Sequence, residues 1–374
     1  MINKVVNSFF IKFWEKSNDF SQFSFLNKIL FFILICLEKL YIFGFYVFLF
    51  FVKKFKKSYK SKFKVLSVGN ISVGGTGKSV FVKFLVKNLI DKKGAIILRG
   101  YKGRAEKTGK SFLVSNGYEI LQESSFVGDE PVMLSKDLNV PVVVGSNRAL
   151  SCLLLENKFE NLNYVILDDG YQNFKIKKDF DILLLDAKFP LENGHCLPAG
   201  RLREKDFSRA DVIVISHADS VSYNELEDLK KELSLRFDKD NIFAGVHSFS
   251  GIYFNDDTEV CLDDIIDKKI LVLAGIGSFS SFEKTVKNLG FKDIILKEYP
   301  DHYSYNQNDV DEILNYLNLE LVDIVLTTQK DWVKIFSLLK DEHNLPFFVL
   351  RVGFSFLDKK QENIFLDKIQ KILN

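Results

Sequence analysis

The chain has 374 residues, of which 47% are hydrophobic and 27% are charged. This composition excludes a disordered or collagen-like chain and is enough for about two domains with their own cores. The four cysteines lie far apart, which excludes a disulfide scaffold or a paired-cysteine zinc site and indicates a reducing compartment. The net charge of +2 is unevenly distributed, because residues 1–64 carry +9 and the remainder carries −7.

An apolar segment near the N-terminus, Ile29 to Val52, is long enough to cross about 30 Å of hydrocarbon as a helix. Seven lysines follow it within twelve residues, from Lys53 to Lys64, which is typical of the cytoplasmic side of a membrane segment. The run is too long for a cleavable signal peptide and lacks a small-residue cleavage site. We therefore predict that residues 1–53 are a membrane-associated segment and that the rest of the chain faces the cytoplasm.

A charged pair, Glu38 and Lys39, interrupts this segment near its middle. In a transmembrane span each charge would cost about 2.5–3.5 kcal/mol. We therefore favour a helix or hairpin that is embedded from one side of the membrane and bends at Gly44. A buried core helix is the alternative interpretation.

From Lys64 onward, short apolar runs rich in Val, Ile and Leu alternate with helical patterns. Near-continuous apolar runs are typical of strands that are buried on both faces of a mainly parallel sheet. The predicted strands are Val65–Val68, Ala95–Leu98, Val140–Val144, Val165–Leu167, Ile182–Leu185, Val212–Ile215, Ile270–Leu273, Asp323–Leu326 and Phe347–Val352. The pattern predicts an α/β domain at 54–245 and a second, smaller α/β domain at 246–374.

The segment Ser72–Ser79, SVGGTGKS, lies between a predicted strand and a predicted helix, Val80–Leu89. It matches the Walker A pattern G-x-x-x-x-G-K-[ST] except for a serine at the first position. In such a loop, backbone N–H groups surround phosphate, Lys78 contacts the β- and γ-phosphates, and the Ser79 hydroxyl binds Mg²⁺. The predicted nucleotide-binding residues are Ser72, Val73, Gly74, Gly75, Thr76, Gly77, Lys78 and Ser79. A glycine-rich connection that binds no ligand is the alternative.

Asp168 and Asp169 directly follow the predicted strand Val165–Leu167. A P-loop site normally has an acidic residue at the end of a neighbouring buried strand, where it organises the metal ion. An isolated Asp-Asp-Gly sequence after a strand is usually a turn, but beside a phosphate loop it favours a metal role. We therefore predict a Mg²⁺ site formed by Ser79, Asp168 and Asp169. The predicted fold class is α/β, with a P-loop-containing, mainly parallel sheet domain, a smaller α/β domain and an N-terminal hydrophobic membrane helix.

Several further motifs are weak individually, but in this order they resemble one family, the tetraacyldisaccharide 4′-kinases of lipid A synthesis. The matching segments are VGNISVGGTGKS (68–79), RGYKGR (99–104), GDEP (128–131), PVVVGSNRA (141–149), DDGYQ (168–172), LPAGRLRE (197–204), LAGIGS (273–278), DHY (301–303) and TTQKD (327–331). This family typically has Ser or Thr at the first loop position, which agrees with Ser72. The chain departs from the family at Asn173, where His is usual, and at Lys205, where Pro is usual.

The resemblance implies an enzyme that uses ATP and Mg²⁺ to phosphorylate the 4′-hydroxyl of an acylated glucosamine disaccharide 1-phosphate. The product would be lipid IVA, a bis-phosphorylated lipid A precursor. The resemblance also implies that the α/β domain predicted at 54–245 is a P-loop kinase domain and that the protein is located at the cytoplasmic face of the bacterial inner membrane. There the acceptor and the lipid surface would be its partners. We expect no nucleic-acid partner and no obligate protein partner.

The resemblance also implies roles for individual residues. Asp129 would be the general base, and His302, from the second domain, would be its partner across an interdomain cleft. Lys78 would neutralise charge on the transferring group, and Arg203 would contact phosphate through its planar guanidinium. The candidate substrate-binding residues are Arg99, Tyr101, Glu130, Arg148, Gln172 and Glu204.

Two other functions fit parts of the pattern. A membrane-attached P-loop GTPase or ATPase switch would carry Asn/Thr-Lys-x-Asp after a strand. The segment TQKD, Thr328–Asp331, follows an apolar run, but Lys330 is one place late for that signature. A nucleotide-sensing scaffold at the membrane would bind nucleotide without turnover.

Overall fold

The computed structural model describes residues 13–14, 24–55, 58–101, 103–277, 279–300, 303–339 and 345–374. The α-helices in this part are α1 (Phe25–Phe55), α2 (Lys78–Asn88), α3 (Ser124–Val127), α4 (Asp129–Asp137), α5 (Arg148–Lys158), α6 (Tyr223–Ser234), α7 (Phe279–Asn288), α8 (Gln307–Asn318), α9 (Gln329–Phe336) and α10 (Lys359–Leu373). The strands are β1 (Lys64–Gly69), β2 (Gly94–Leu98), β3 (Ser111–Asn116), β4 (Pro141–Gly145), β5 (Tyr164–Asp168), β6 (Phe180–Asp186), β7 (Val212–Ser216), β8 (Ile242–Phe254), β9 (Thr258–Val260), β10 (Ile270–Ala274), β11 (Ile294–Glu298), β12 (Ile324–Thr328) and β13 (Phe347–Phe356).

These elements confirm the predicted mixed α/β class. Each predicted strand is present, and strands such as β4, β5 and β7 bury every residue, as continuous apolar runs require. The structure adds β3, β8, β9 and β11, which the sequence pattern missed. Strand β3 contains Ser111, Ser115 and Asn116 and pairs antiparallel to β4, so its pattern is not a continuous apolar run.

The chain divides into two compact units, each assembled from segments that are distant in sequence. The first unit comprises the described residues within Met1–Lys78, Phe159–Val246 and Phe356–Asn374, and the second comprises those within Ser79–Lys158 and His247–Ser355. The chain therefore changes units between Lys78 and Ser79, inside the predicted phosphate loop. It changes again after Val246, next to the predicted boundary at 245/246. The division into 1–53, 54–245 and 246–374 stays a prediction.

The first unit contains a parallel sheet with the strand order β5, β1, β6, β7 and the beginning of β8. In its register, Val68 of β1 is paired with Asp168 of β5. The loop after β1 and the acidic pair after β5 therefore leave the sheet at the same edge. Helix α6 covers this sheet by burying Leu226, Leu229 and Leu233 in a core with the strands.

Helix α1 belongs to the first unit and runs unbroken through Gly44, so the described residues form one helix and no hairpin. By length and composition it is apolar enough to cross a membrane, and only 17% of its most apolar window is buried. Phe32, Leu40 and Phe43 are 67–70% exposed. This face is typical of a helix that contacts a membrane and does not fit a buried core helix. Glu38 lies on the opposite face and is 1% exposed, so it interrupts the sequence pattern without interrupting the apolar face.

The second unit contains β4 between β2, which is parallel to it, and β3, which is antiparallel. It also contains the parallel strands β11, β10, β12 and β13, and the antiparallel pair β8 and β9. Trp332 of α9 packs in a hydrophobic core with Val325 of β12 and with Leu271 of β10. Helix α9 packs against α4, so residues of the TTQKD and GDEP motifs belong to neighbouring helices.

Candidate active site

The predicted phosphate loop is an irregular connection between β1 and α2. Gly74 has a φ of +155° and Gly77 a φ of +76°, conformations that favour glycine. Among the described residues, no atom would lie within 4 Å of a Cβ added at Gly74 or Gly75, so this side of the loop is open to a ligand. The buried Thr76 hydroxyl has no hydrogen-bond partner within the described part of the chain. An open glycine backbone next to a buried polar atom fits a bound phosphate.

Charged side chains surround the end of this loop within the first unit. Lys78 Nζ lies 3.6 Å from Asp169 Oδ1, and Arg203 Nη1 donates to both Asp169 carboxylate oxygens at 3.1 Å. Arg203 Nη1 also lies 3.1 Å from Gln172 Oε1. Asp169 has a φ of +51°, and its N–H donates to Asp168 Oδ1 at 3.0 Å. The structure therefore brings together Lys78, Arg203 and both predicted metal-binding carboxylates.

Gln172 and Glu204 support this cluster from the protein side. Gln172 Nε2 donates to the Asn70 carbonyl at 2.8 Å and to Glu204 Oε1 at 2.9 Å. Glu204 is buried and forms a two-bond ion pair with Arg209 at 2.6 and 3.0 Å. In this geometry Gln172 and Glu204 orient Arg203, and their predicted contact with substrate stays a prediction.

Asp129 and Glu130 occupy the first turn of α4 in the second unit, where a helix N-terminus favours negative charge. The preceding Gly128 has a φ of +97°, and a Cβ there would lie 3.1 Å from the Tyr101 carbonyl. The Ser79 hydroxyl donates to Glu130. Gly128 therefore provides the backbone conformation that leads into Asp129, the predicted base.

Lys334, on α9, is a residue that the sequence analysis missed. Its Nζ lies 3.7 Å from Asp129 Oδ2 and 3.7 Å from Asp331 Oδ1. Asp331 is completely buried, and its Oδ2 accepts hydrogen bonds from Gly275 N at 3.0 Å and Thr328 Oγ1 at 2.7 Å. A carboxylate held in this way is not available to read a guanine base, which argues against the GTPase signature. The TTQKD motif instead begins the helix that carries Lys334.

A buried polar network, also missed, joins α2, α4 and α9. Gln329 accepts from Lys83 Nζ at 2.6 Å and donates to Asp137 Oδ1 at 2.7 Å and to Asp256 Oδ1 at 3.0 Å. Lys83 also pairs with Asp137, and Arg351 Nε donates to Asp256 at 2.8 Å. Burial lowers the pKa of Lys83 against the opposing effect of Asp137. A lysine within the apolar run VFVKFLV was the available sequence signal.

Other predicted residues lie in separate surroundings. Arg99 is exposed and its Nε pairs with Glu106 at 2.6 Å, and Tyr101 is also exposed. Arg148 is buried and donates to the Gly145 carbonyl at 2.6 Å, so this geometry gives it a structural contact. His302 lies outside the described residues. The substrate and catalytic roles of these four residues stay predictions.

The oxygen donors of the predicted metal site fit Mg²⁺, which prefers carboxylate, hydroxyl and phosphate oxygens. Within the described ranges, no group of three or more His, Cys, Asp or Glu side chains could hold a metal ion. A nucleotide-bound Mg²⁺ takes part of its coordination from phosphates. Ser79 belongs to the second unit and Asp168 and Asp169 to the first, and their metal-binding roles stay predictions.

The chain matches a family model described as Tetraacyldisaccharide-1-P 4'-kinase over residues 30–371. It is 33% identical over 314 residues to a tetraacyldisaccharide 4'-kinase of Halothermothrix orenii, which is 78% of this chain and 80% of that protein. A protein of the same name from Aquifex aeolicus is 35% identical over 287 residues, 76% of this chain and 82% of the relative. The structure resembles a crystal structure of LpxK from Aquifex aeolicus in complex with ATP, with a TM-score of 0.71, 31% identity and coverage of 92% of this chain and 100% of that chain.

Proposed function

Because the chain belongs to the tetraacyldisaccharide-1-phosphate 4′-kinase family, we propose that it transfers the γ-phosphoryl group of ATP to the 4′-hydroxyl of an acylated glucosamine disaccharide 1-phosphate. The observation that carries this proposal is the meeting of Lys78, Arg203 and Asp169 beside an open glycine loop. Catalysis of phosphoryl transfer is mainly positioning and charge stabilisation. The positive charges of Lys78 and Arg203, next to a loop whose backbone can surround phosphate, suit that role.

The phosphate loop, Ser72 to Ser79, would hold ATP. Its backbone N–H groups would surround the β-phosphate, and Lys78 would contact the β- and γ-phosphates. Ser79, Asp168 and Asp169 would hold Mg²⁺, which when bound neutralises charge on the β- and γ-oxygens. Arg203 would offer its planar fork to a phosphate oxygen.

Asp129 would be the base for the acceptor. Its carboxylate would accept the proton of the 4′-hydroxyl as the sugar oxygen bonds to the γ-phosphorus. The bond from the γ-phosphorus to the bridging oxygen breaks in the same displacement, and ADP leaves with that electron pair. Lys334 would orient the Asp129 carboxylate, and His302 is proposed as a further partner of it.

The acceptor would remain in the lipid layer during the reaction. The exposed apolar face of α1, with the following lysines, would hold the enzyme at the cytoplasmic face of the inner membrane. The acyl chains of the acceptor would stay in the bilayer while its sugars reach the enzyme. Arg99 and Tyr101 are exposed and are proposed to contact the acceptor, together with Glu130 and Arg148.

The test is transfer of radiolabel from [γ-³²P]ATP to a purified lipid A disaccharide 1-phosphate in detergent micelles. The wild-type protein should label the acceptor with ATP in preference to GTP. Asp129→Asn should lower kcat by about 10²–10⁴-fold while ATP affinity changes little. Hydrolysis without labelling of the acceptor would favour the switch, and nucleotide binding without turnover would favour the sensing scaffold.

A further inference from the structure

Helix α1 presents a buried carboxylate, that of Glu38, to the rest of the first unit. Glu38, buried on the protein-facing side, accepts hydrogen bonds from Cys196 N at 2.8 Å and His195 Nδ1 at 2.7 Å, and it pairs with Lys205 Nζ at 3.0 Å. Burial alone would raise the pKa of Glu38, but the contacts with His195, Cys196 and Lys205 hold it below its ordinary value. These three partners lie within residues 195–205, which we call the 195–205 loop.

Further contacts attach α1 to the same loop. Tyr41, about one helical turn after Glu38, donates its hydroxyl to the Arg203 carbonyl at 2.9 Å. Phe31 and Leu34 pack with Ala199, which is completely buried. The helix therefore contacts the loop at both its beginning and its end.

The 195–205 loop is also bonded to the entrance of the phosphate loop. Arg203 N donates to the Ile71 carbonyl at 2.7 Å, and Val73 N donates to the Arg201 carbonyl at 2.8 Å. The same Arg203 whose carbonyl contacts Tyr41 places its guanidinium on Asp169. A continuous set of hydrogen bonds thus runs from α1 through the loop to the phosphate-binding backbone.

We propose that α1 is a positioning element of the active site as well as its membrane-facing segment. Glu38 and Tyr41 fix the 195–205 loop, and the loop fixes both the entrance of the phosphate loop and the guanidinium of Arg203. This inference rests on the proposed function only in requiring that the phosphate loop binds ATP. It does not depend on which acceptor receives the phosphoryl group.

A helix that served only as an anchor would need an apolar surface and no carboxylate. A buried charge is costly unless it is paired and hydrogen-bonded. Glu38 is satisfied by this loop, and its partners adjoin residues that touch the phosphate loop. The polar face of α1 is therefore better explained by positioning than by membrane attachment.

Cysteine alkylation of the full-length protein in detergent micelles tests whether Glu38 fixes the 195–205 loop. Cys196 is buried beneath α1, and burial raises the pKa of its thiol to about 11, whereas the buried Cys152 of the second unit is an internal control for global folding. In Glu38→Ala, iodoacetamide should label Cys196 at least ten-fold faster than in wild type, while Cys152 stays protected. Unchanged protection of Cys196 would overturn the inference.

ATP affinity tests whether the 195–205 loop in turn fixes the phosphate loop and Arg203. The variant Tyr41→Phe removes only the hydroxyl that contacts the Arg203 carbonyl. We expect a three- to ten-fold rise in the Kd for ATP, with unchanged co-sedimentation on phosphatidylglycerol–phosphatidylethanolamine vesicles. Tyr46→Phe is the matched control, since Tyr46 is also a tyrosine of α1 and its side chain is 54% exposed. It should bind ATP as wild type does.

Unchanged ATP affinity in both Tyr41→Phe and Glu38→Gln would contradict the inference. If Glu38→Ala also exposes Cys152, its fold is lost and the Tyr41→Phe measurement decides. A wild-type protein that binds ATP without labelling the lipid acceptor would refute the proposed function alone. The two failures are therefore distinguishable.

Discussion

The ammonium nitrogen of Lys334 lies 3.7 Å from Oδ2 of Asp129. The lysine is held there from its other side by Asp331, which is completely buried and needs a nearby cation to compensate its charge. Asp129 is thereby paired with a residue whose own position is fixed by the core of the second unit. This arrangement gives the proposed base an orienting partner on α9.

Removal of the Lys334 charge should impair the proposed base without changing ATP binding. We expect Lys334→Met to lower kcat about ten-fold, equivalent to about 1.4 kcal/mol in the barrier, because the Asp129 carboxylate loses its orienting cation. Lys334→Arg should recover most of the rate. The measurement is kcat and KM for both substrates in the radiolabel assay.

Lys287→Met is the matched control for that variant. Lys287 is an exposed helical lysine of the second unit and pairs with Glu283 at 2.6 Å. Its replacement should leave kcat within error of wild type, because exposed ion pairs contribute little. A normal kcat in Lys334→Met would remove Lys334 from the mechanism.

Arg203 should not be replaceable by lysine. Nη1 of its guanidinium donates to both Asp169 and Gln172, so the rest of the planar fork would be the part that meets a phosphate, and a lysine ammonium has no such fork. We expect Arg203→Lys to lower kcat by about 10²-fold, as for the loss of one preorganised donor to developing charge. Arg236→Lys, at an exposed arginine of the same unit, should keep the wild-type rate. Equal rates in the two variants would exclude a phosphate-directed role for Arg203.

Gly74 should be required for nucleotide binding more than for stability. Its φ of +155° disfavours a side chain, and a Cβ would enter the open side of the loop. Gly109→Ala provides a control, because Gly109 also has a positive φ, +68°, and open space around its Cβ. Both variants should lose about 1–2 kcal/mol of unfolding free energy, but only Gly74→Ala should weaken ATP binding, at least ten-fold. An ATP Kd that changes equally in both would contradict the phosphate-loop assignment.

The sequence predicted the features whose signal is local. Strands such as β5 and β7 were identified because burial on both faces requires an unbroken apolar run. The motif order from the phosphate loop to TTQKD also identified the family, which the comparisons confirm. Strand β11 was missed because its residues are partly buried or exposed, so they do not form a buried apolar run.

Features that depend on distant partners were not predictable in this way. From the sequence, Glu38 was interpreted as an energetic cost to placing the apolar segment in a membrane, because its partner His195 lies 157 positions away. Lys334 carried no signal either, since only the packing of α9 against α4 brings it to Asp129. A charge inside an otherwise apolar run, as at Glu38, is the one signal of such a contact in these two examples.

The buried network around Gln329 should govern the stability of the second unit. Gln329 bonds to Lys83, Asp137 and Asp256, so Gln329→Leu leaves all three groups without that partner in a buried site. We expect a loss of about 3 kcal/mol in the free energy of unfolding, since each unsatisfied buried polar group costs about 1–3 kcal/mol. Urea denaturation followed by tryptophan fluorescence would measure this loss, because Trp332 lies in the same helix and is buried.

Gln307→Leu is the control for that substitution, because the hydrogen bond from Gln307 to Asp311, at 3.0 Å, lies at an exposed site. It should change the unfolding free energy by less than about 0.5 kcal/mol, as exposed substitutions usually do. Because Gln329 begins the helix that carries Lys334, Gln329→Leu should also lower kcat at temperatures where the protein remains folded. A destabilised variant with a wild-type kcat would show that the network supports the fold without positioning Lys334.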